Sequence, residues 1–340
     1  MRLFLLIAIV VLLSSGCRID RPPVEINAPI IGGGNVVYIC NEGNYQYGNA
    51  SISYYDHVAN SVVEKYYQQI NQMPLGDVCQ SMSFANGNAY LTINNSGKVV
   101  VVDRNTFEWK SDILGFTSPR QLISVSNSKA YVSEIFDNRL RVIDLNENRI
   151  TKSILLGGES EEMKVIYGKA FITSPTRGML YVVDTETDRL NDSINLRKGA
   201  SFIREDKEGM LWVLCSGDDD ENGALYKINP TSLQILSQFD FNDSKTPTRL
   251  KMNNSNDTLY FVNQSIYKMG ISETSLPDQA FIKANERVFY ALGINPENND
   301  VYVADAIDYI QPGTVLIYSQ SGVETNTFKA GIIPGNFYFE

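Results

Sequence analysis

The feature that most constrains this chain is a repeat. Short runs with two-residue apolar alternation, broken by Asn, Asp, Gly and Ser, continue from Val36 to the C-terminus, and no stretch holds a helical period for three turns. Aligned on an aromatic in the second strand of each unit, the runs give Tyr38, Tyr90, Tyr131, Phe171, Trp212, Tyr260 and Tyr302. These residues are 52, 41, 40, 41, 48 and 42 positions apart. A period near 40–45 residues with about four strands per unit predicts a β-propeller, whose blades bury their faces only by stacking around an axis. The fold class is therefore all-β, with seven blades.

The rest of the unit agrees with that count. In four copies the third strand ends in aspartate, at Asp56, Asp103, Asp144 and Asp184, and the equivalents Asn229, Gly270 and Ser319 are also turn formers. Aspartate at the head of a hairpin accepts backbone N–H bonds, so these acids are read as structural. The first unit begins at its second strand, Val36-Val37-Tyr38-Ile39-Cys40. Its missing first strand is supplied by Ile333-Pro334-Gly335-Asn336-Phe337-Tyr338-Phe339, which matches Ser118-Pro119-Arg120-Gln121-Leu122-Ile123 in pattern. Blade 1 is thus expected to be closed by the C-terminal strand, removing an open sheet edge.

Composition narrows the function. With 43% hydrophobic and 20% charged residues, the 340-residue chain can bury a large core. Its net charge of −10 and lack of a basic run argue against a nucleic-acid partner. The single histidine, His57, falls in a hairpin on the face away from the long loops, which removes most imidazole-based triads and most metal-ligand clusters. There is no GxSxG element, and no catalytic residue, cofactor or metal is expected. A pair of carboxylates in an acidic mouth is the one catalytic arrangement left open.

Residues 1–16 read as a signal peptide: one positive charge, an apolar run from Leu3 to Leu13, then small residues. Leu13-Ser14-Ser15-Gly16-Cys17 resembles a lipobox, with the aliphatic residue one place early, so Cys17 is the expected lipidation site. Residues 17–34 form the lipidated cysteine and a Pro- and Gly-containing tether, and 35–340 the propeller. Arg18 after the cysteine, in place of aspartate, favours a lipid anchor in the outer membrane; secretion with an unmodified cysteine is the alternative. Of the remaining cysteines, Cys40 and Cys79 fall near one end of adjacent units, which leaves both a disulfide and two buried thiols open; Cys215 is the third.

Departures from the repeat mark the candidate site. From the second-strand aromatic to the hairpin residue the interval is 13 in blades 2, 3 and 4, but 18 in blade 1, 17 in blades 5 and 7, and 10 in blade 6. The extra residues fall in loops that share one face, so they wall a single mouth. The candidate ligand-binding residues there are Asn41, Glu42, Asn44, Tyr45 and Tyr47 of blade 1, Asn94 of blade 2, and Glu134, Phe136 and Asp137 of blade 3. Arg177, Asp219 and Asn263 follow from blades 4, 5 and 6, with Asp305 and Tyr309 from blade 7. Amides and tyrosines suit a large polar small molecule better than a lipid or polyanion; the alternative is ordinary solvated loop tips. The Asp218-Asp219-Asp220 run offers carboxylates to calcium but lacks the glycine and distal glutamate of a known loop.

At the blade 1 loop, Asn41-Glu42-Gly43-Asn44 through Ser53-Tyr54-Tyr55-Asp56, close behind the lipobox and tether, the chain resembles the YncE-like seven-bladed propeller lipoproteins, and among them the BtuG-type cobalamin-binding group. That resemblance implies a surface lipoprotein that captures vitamin B12 and related corrinoids and delivers them to a TonB-dependent outer-membrane transporter. A propeller lipoprotein binding a surface glycan or a protein partner is the alternative expectation.

Overall fold

In a computed structural model, residues 36–242 and 246–340 are described; the leader, Cys17 and the tether lie outside them. The chain forms seven antiparallel sheets in sequence order, six of four strands and one of three. Blade 1 is assembled from both ends of the chain: Pro334–Phe339 is innermost, followed by Val36–Asn41, Ser51–Asp56 and Ser61–Val63. The closing ladder pairs Tyr38 with Tyr338 and Ile39 with Phe337, and Val36 and Glu340 exchange backbone hydrogen bonds of 3.0 and 2.9 Å.

Strand position decides burial. Second strands such as Val36–Asn41 and Asn88–Ile93 are buried along their whole length, because sheets pack against both faces. Outer strands such as Arg189–Asn195 are almost entirely exposed, which is why their sequences are polar. All seven aligned aromatics are buried. The core is divided into seven clusters, one between each pair of neighbouring blades; the cluster joining blades 7 and 1 contains Val37, Ile39, Tyr302, Ile317 and Phe337.

The hairpin acids act as caps. Asp103 Oδ1 accepts from the N–H groups of Asn105 and Thr106 at 2.8 and 3.1 Å, and Asp184 Oδ1 from those of Glu186 and Thr187 at 3.1 and 2.7 Å. Asn229 Oδ1 does the same for Thr231 and Ser232. Two elements depart from the repeat. A short helix, Tyr66–Asn71, bridges blades 1 and 2 and, together with the longer second loop of blade 1, accounts for the 52-residue interval; at six residues it is too short to register as a period. Blade 6 lacks an outer strand: after Ser265–Gly270 the Pro277-containing segment pairs back only at Ile266 with Ile282. Cys40 and Cys79 are free and buried in the cluster between blades 1 and 2, and Cys215 is free and buried between blades 4 and 5.

Candidate functional site

The innermost strands surround the axis, and each is interrupted by a bulge near its mouth end. The register shifts lie at Cys79/Ser81, Pro119/Leu122, Ala200/Phe202, Thr248/Lys251 and Phe289/Ala291, and at Cys40/Asn41 in the closing ladder. In blade 4, Thr173 bonds to both Glu161 and Glu162. A bulge places two residues opposite one and re-aims their side chains. Here it turns large polar groups toward the axis. Arg249, at φ 58, sits in the left-handed region and shows the strain most directly.

Two connected cavities result. The inner one, about 230 Å³, is lined by Gln80, Arg120, Glu161, Glu162, Arg204, Arg249, Lys251, Asn336 and Tyr338. The outer one, about 800 Å³, opens at the mouth and is walled mainly by blades 5, 6 and 7, including Gln264, Asn285, Arg287, Tyr290 and Tyr309. Arg120, Glu161, Phe202 and Arg249 border both.

Ion pairs organise the channel. Arg120 Nε lies 2.8 Å from each Glu161 carboxylate oxygen, and its Nη1 donates to Gln80 Oε1 at 2.7 Å. Arg204 donates to Glu162 at 2.6 Å, and the Ile203 N–H adds a bond of 3.2 Å to the same carboxylate. Burial opposes ionisation of Glu162, but the Arg204 charge outweighs it and holds the carboxyl below its usual range. Glu42 is the opposite case: burial raises its pKa, with Arg249 at 3.9 Å and the Tyr290 hydroxyl at 3.0 Å only partly compensating. Glu42 reaches this place because residue 335 is glycine; a Cβ there would lie 2.5 Å from Glu42 Oε1. Burial brings Lys251 down to about 7, and the neighbouring Arg204 reinforces the shift.

The candidate residues separate into distinct groups. Glu42 and Tyr309 belong to the channel rim and mouth, where the Tyr309 and Tyr290 rings meet edge to face at 5.5 Å. Asn44 bonds the Tyr309 carbonyl at 2.8 Å, so the long loops of blades 1 and 7 stand together. Tyr45, Tyr47 and Phe136 are exposed on the mouth-side loops, and Arg177 and Asp219 are exposed on blades 4 and 5. Asn263 borders a separate 620 Å³ flank cavity beside the missing strand of blade 6.

Four of the candidates are committed to the scaffold. Asn41 bonds Ser51, Ser53 and the Gly331 N–H. Asn94 bonds Ser118 and the Pro119 carbonyl. Glu134 is fully buried, accepting from the Thr117 and Ser118 N–H groups and pairing with Arg141 at 2.6 Å. Asp305 accepts from the Val288 and Ile307 N–H groups. Asp137 is drawn into the same network through Arg139 and Arg141, and Asp218 caps its own turn while pairing with Lys198 at 2.6 Å. Among the described residues no three His, Cys, Asp or Glu groups converge to hold a metal.

Loop reasoning missed the channel set of Arg120, Glu161, Glu162, Arg204, Arg249, Lys251 and Tyr290. The signal was present: Gln80, Arg120, Glu161, Phe202, Arg249 and Tyr290 recur at nearly the blade period. Charged residues inside otherwise apolar first strands require partners or a wet channel.

The family described as "Domain of unknown function (DUF5074)" matches residues 35–325. No curated protein matches the chain. Among solved structures, a "Quinonprotein alcohol dehydrogenase-like protein" from Bacteroides thetaiotaomicron superposes with TM-score 0.73 at 15% identity, covering 90% of this chain and 78% of that one. Kuenenia stuttgartiensis hydrazine synthase gives 0.62 at 10% identity, over 77% and 92%. The β-propeller domain of Cps50 (Swd1) from Myceliophteria thermophila gives 0.62 at 12%, over 81% and 95%. At these identities the likeness is one of fold.

Proposed function

The chain belongs to the DUF5074 family, and from that premise we propose that it is a ligand-capturing propeller that holds a large polar small molecule in its mouth without turning it over. The observation that carries this reading is the mouth cavity of about 800 Å³, continuous with a charged channel and walled by Tyr290, Tyr309, Phe202, Arg249 and side-chain amides. Flat rings and directional donors on a rigid ring are what a polar ligand with many amide groups needs. Paired loops from blades 1 and 7 add Tyr45 and Tyr47 at the rim. Capture is favoured over turnover because Glu161 and Glu162 are tied to arginines and the one histidine lies on the opposite face.

The ligand class we propose is a corrinoid, on the likeness of the Asn41–Asp56 segment to the cobalamin-binding propeller lipoproteins. In that reading Cys17 carries the lipid anchor at the outer-membrane surface, and the loaded propeller passes its ligand to a TonB-dependent transporter. Calorimetric titration of the purified protein with cyanocobalamin tests it. One-to-one binding tighter than about −10 kcal/mol is expected, and joint replacement Tyr45→Ala and Tyr309→Ala should weaken it at least about tenfold. Absence of heat and an unchanged corrinoid spectrum would overturn the corrinoid reading; recognition of oligosaccharides on an array would then assign the mouth to glycans.

A further inference from the structure

The channel below the mouth carries more positive than negative side chains. Arg120, Arg204, Arg249 and Lys251 face it, against Glu161 and Glu162 inside and Glu42 at the rim. Glu161 is taken by Arg120 through two 2.8 Å contacts, and Glu162 by Arg204 and the Ile203 N–H. Glu42 is occupied by the Tyr290 hydroxyl, and the Arg249 guanidinium stands 3.9 Å from it, outside hydrogen-bond reach. Lys251 has neither a carboxylate partner nor an acceptor among the described residues, although an ammonium offers three donors.

Arg249 is positioned by contacts beyond its long-range pairing with Glu42. Its Nε bonds the Tyr290 carbonyl at 2.9 Å and its guanidinium stacks over the Tyr290 ring at 4.8 Å. It sits in the left-handed region at the bulge and borders the cavity, and neither terminal nitrogen has a hydrogen-bond partner among the described residues. Two cations with unused donors therefore flank a space of about 230 Å³, the volume of roughly seven waters. An uncompensated ammonium inside a protein is costly unless something anionic answers it.

We propose that this end of the channel is an anion subsite, in which Lys251 and Arg249 hold an oxyanion group, phosphate or carboxylate, on the ligand that enters by the mouth. The inference rests on the mouth being a ligand entrance and adds the charge of the part that descends furthest. The groups facing Lys251 are Arg249 on its own strand, Arg204 from blade 5, Glu162 from blade 4 and Tyr338 from blade 1, with Arg120 and Glu161 above. Since Lys251 titrates near 7, a bound anion draws a proton onto it, and affinity is lost as pH rises through that value.

Sulfate is the probe, because it keeps its charge across this range; acetate at matched ionic strength is the second. Thermal unfolding and calorimetry on wild type and Lys251→Met are read at pH 6.5 and pH 8.5. Sulfate should bind wild type about tenfold more tightly than Lys251→Met at the lower pH, and that advantage should vanish at the higher one. Acetate matching sulfate would assign the site to carboxylates; sulfate alone would assign it to phosphates. Equal sulfate binding by the two proteins, or none by either, would overturn the subsite. Sulfate binding in a protein that ignores cyanocobalamin overturns the corrinoid reading alone, and the reverse pattern overturns the subsite alone.

Discussion

Phe337→Ala measures how much of the ring's stability passes through the strand that closes it. Phe337 is 5% exposed, meets the Tyr302 ring edge to face at 5.9 Å, and packs so tightly on Gly293 that a Cβ there would lie 2.8 Å from its own. Truncating a phenylalanine so enclosed costs about 3–5 kcal/mol. About 300 ordered residues imply an unfolding entropy near 0.6 kcal/mol/K, so the midpoint should fall by roughly 5–8 °C. Scanning calorimetry gives the value directly. Phe136→Ala is the control, since that ring is 78% exposed, and it should move the midpoint by less than about 1 °C. A Phe337→Ala midpoint within about 2 °C of wild type would refute the argument that Pro334–Phe339 closes the ring in solution. Deleting residues 331–340 is the extreme case and should abolish the cooperative transition.

Lys251→Met should reverse a pH-dependent penalty. In the fold this lysine titrates near 7, against 10.5 unfolded; below 7 both states hold the proton and the full cost weighs on the fold, while from 7 to 10.5 the unfolded chain binds more protons and stability rises with pH. After screening by channel water, Lys251→Met should be more stable by about 2 kcal/mol at pH 6, the gap closing near pH 10; a gap independent of pH in denaturant titrations would count against it. Glu134→Ala leaves the buried Arg141 with Asp137 as its one carboxylate and frees the Thr117 and Ser118 N–H groups, and should cost about 2–4 kcal/mol, with ligand affinity in the surviving fold unchanged; a selective loss of affinity would put Glu134 back in the site. Gly335→Ala should displace Glu42, costing about 1–3 kcal/mol and altering ligand affinity, whereas a neutral result by calorimetry would show that the rim relaxes freely.

The blades were legible because each repeats the same local requirements. A buried aromatic in the second strand and an acid that caps its own hairpin, as Asp103 and Asp144 do, are decided within one unit. Even closure by Pro334–Phe339 was legible, since a strand missing at one end was surplus at the other. The channel was not. Arg120 and Arg249 lie in segments whose alternation looks like that of any half-buried strand, and only the bulge turns them toward the axis. Nor does a list of loop residues separate Asn41 and Glu134, which stitch the scaffold, from Glu42 and Tyr309, which face the cavity. Blade 6 misled through the same averaging: its short second loop was visible, but the outer strand it lacks has no counterpart in the aligned positions.

The backbone bonds between Val36 and Glu340 have a directional consequence. Val36–Asn41 runs toward the long loops, so the chain enters the ring from the face opposite the mouth, and it leaves from there as well. Any segment ahead of Val36 therefore joins the ring on the side away from the opening over Tyr290 and Tyr309.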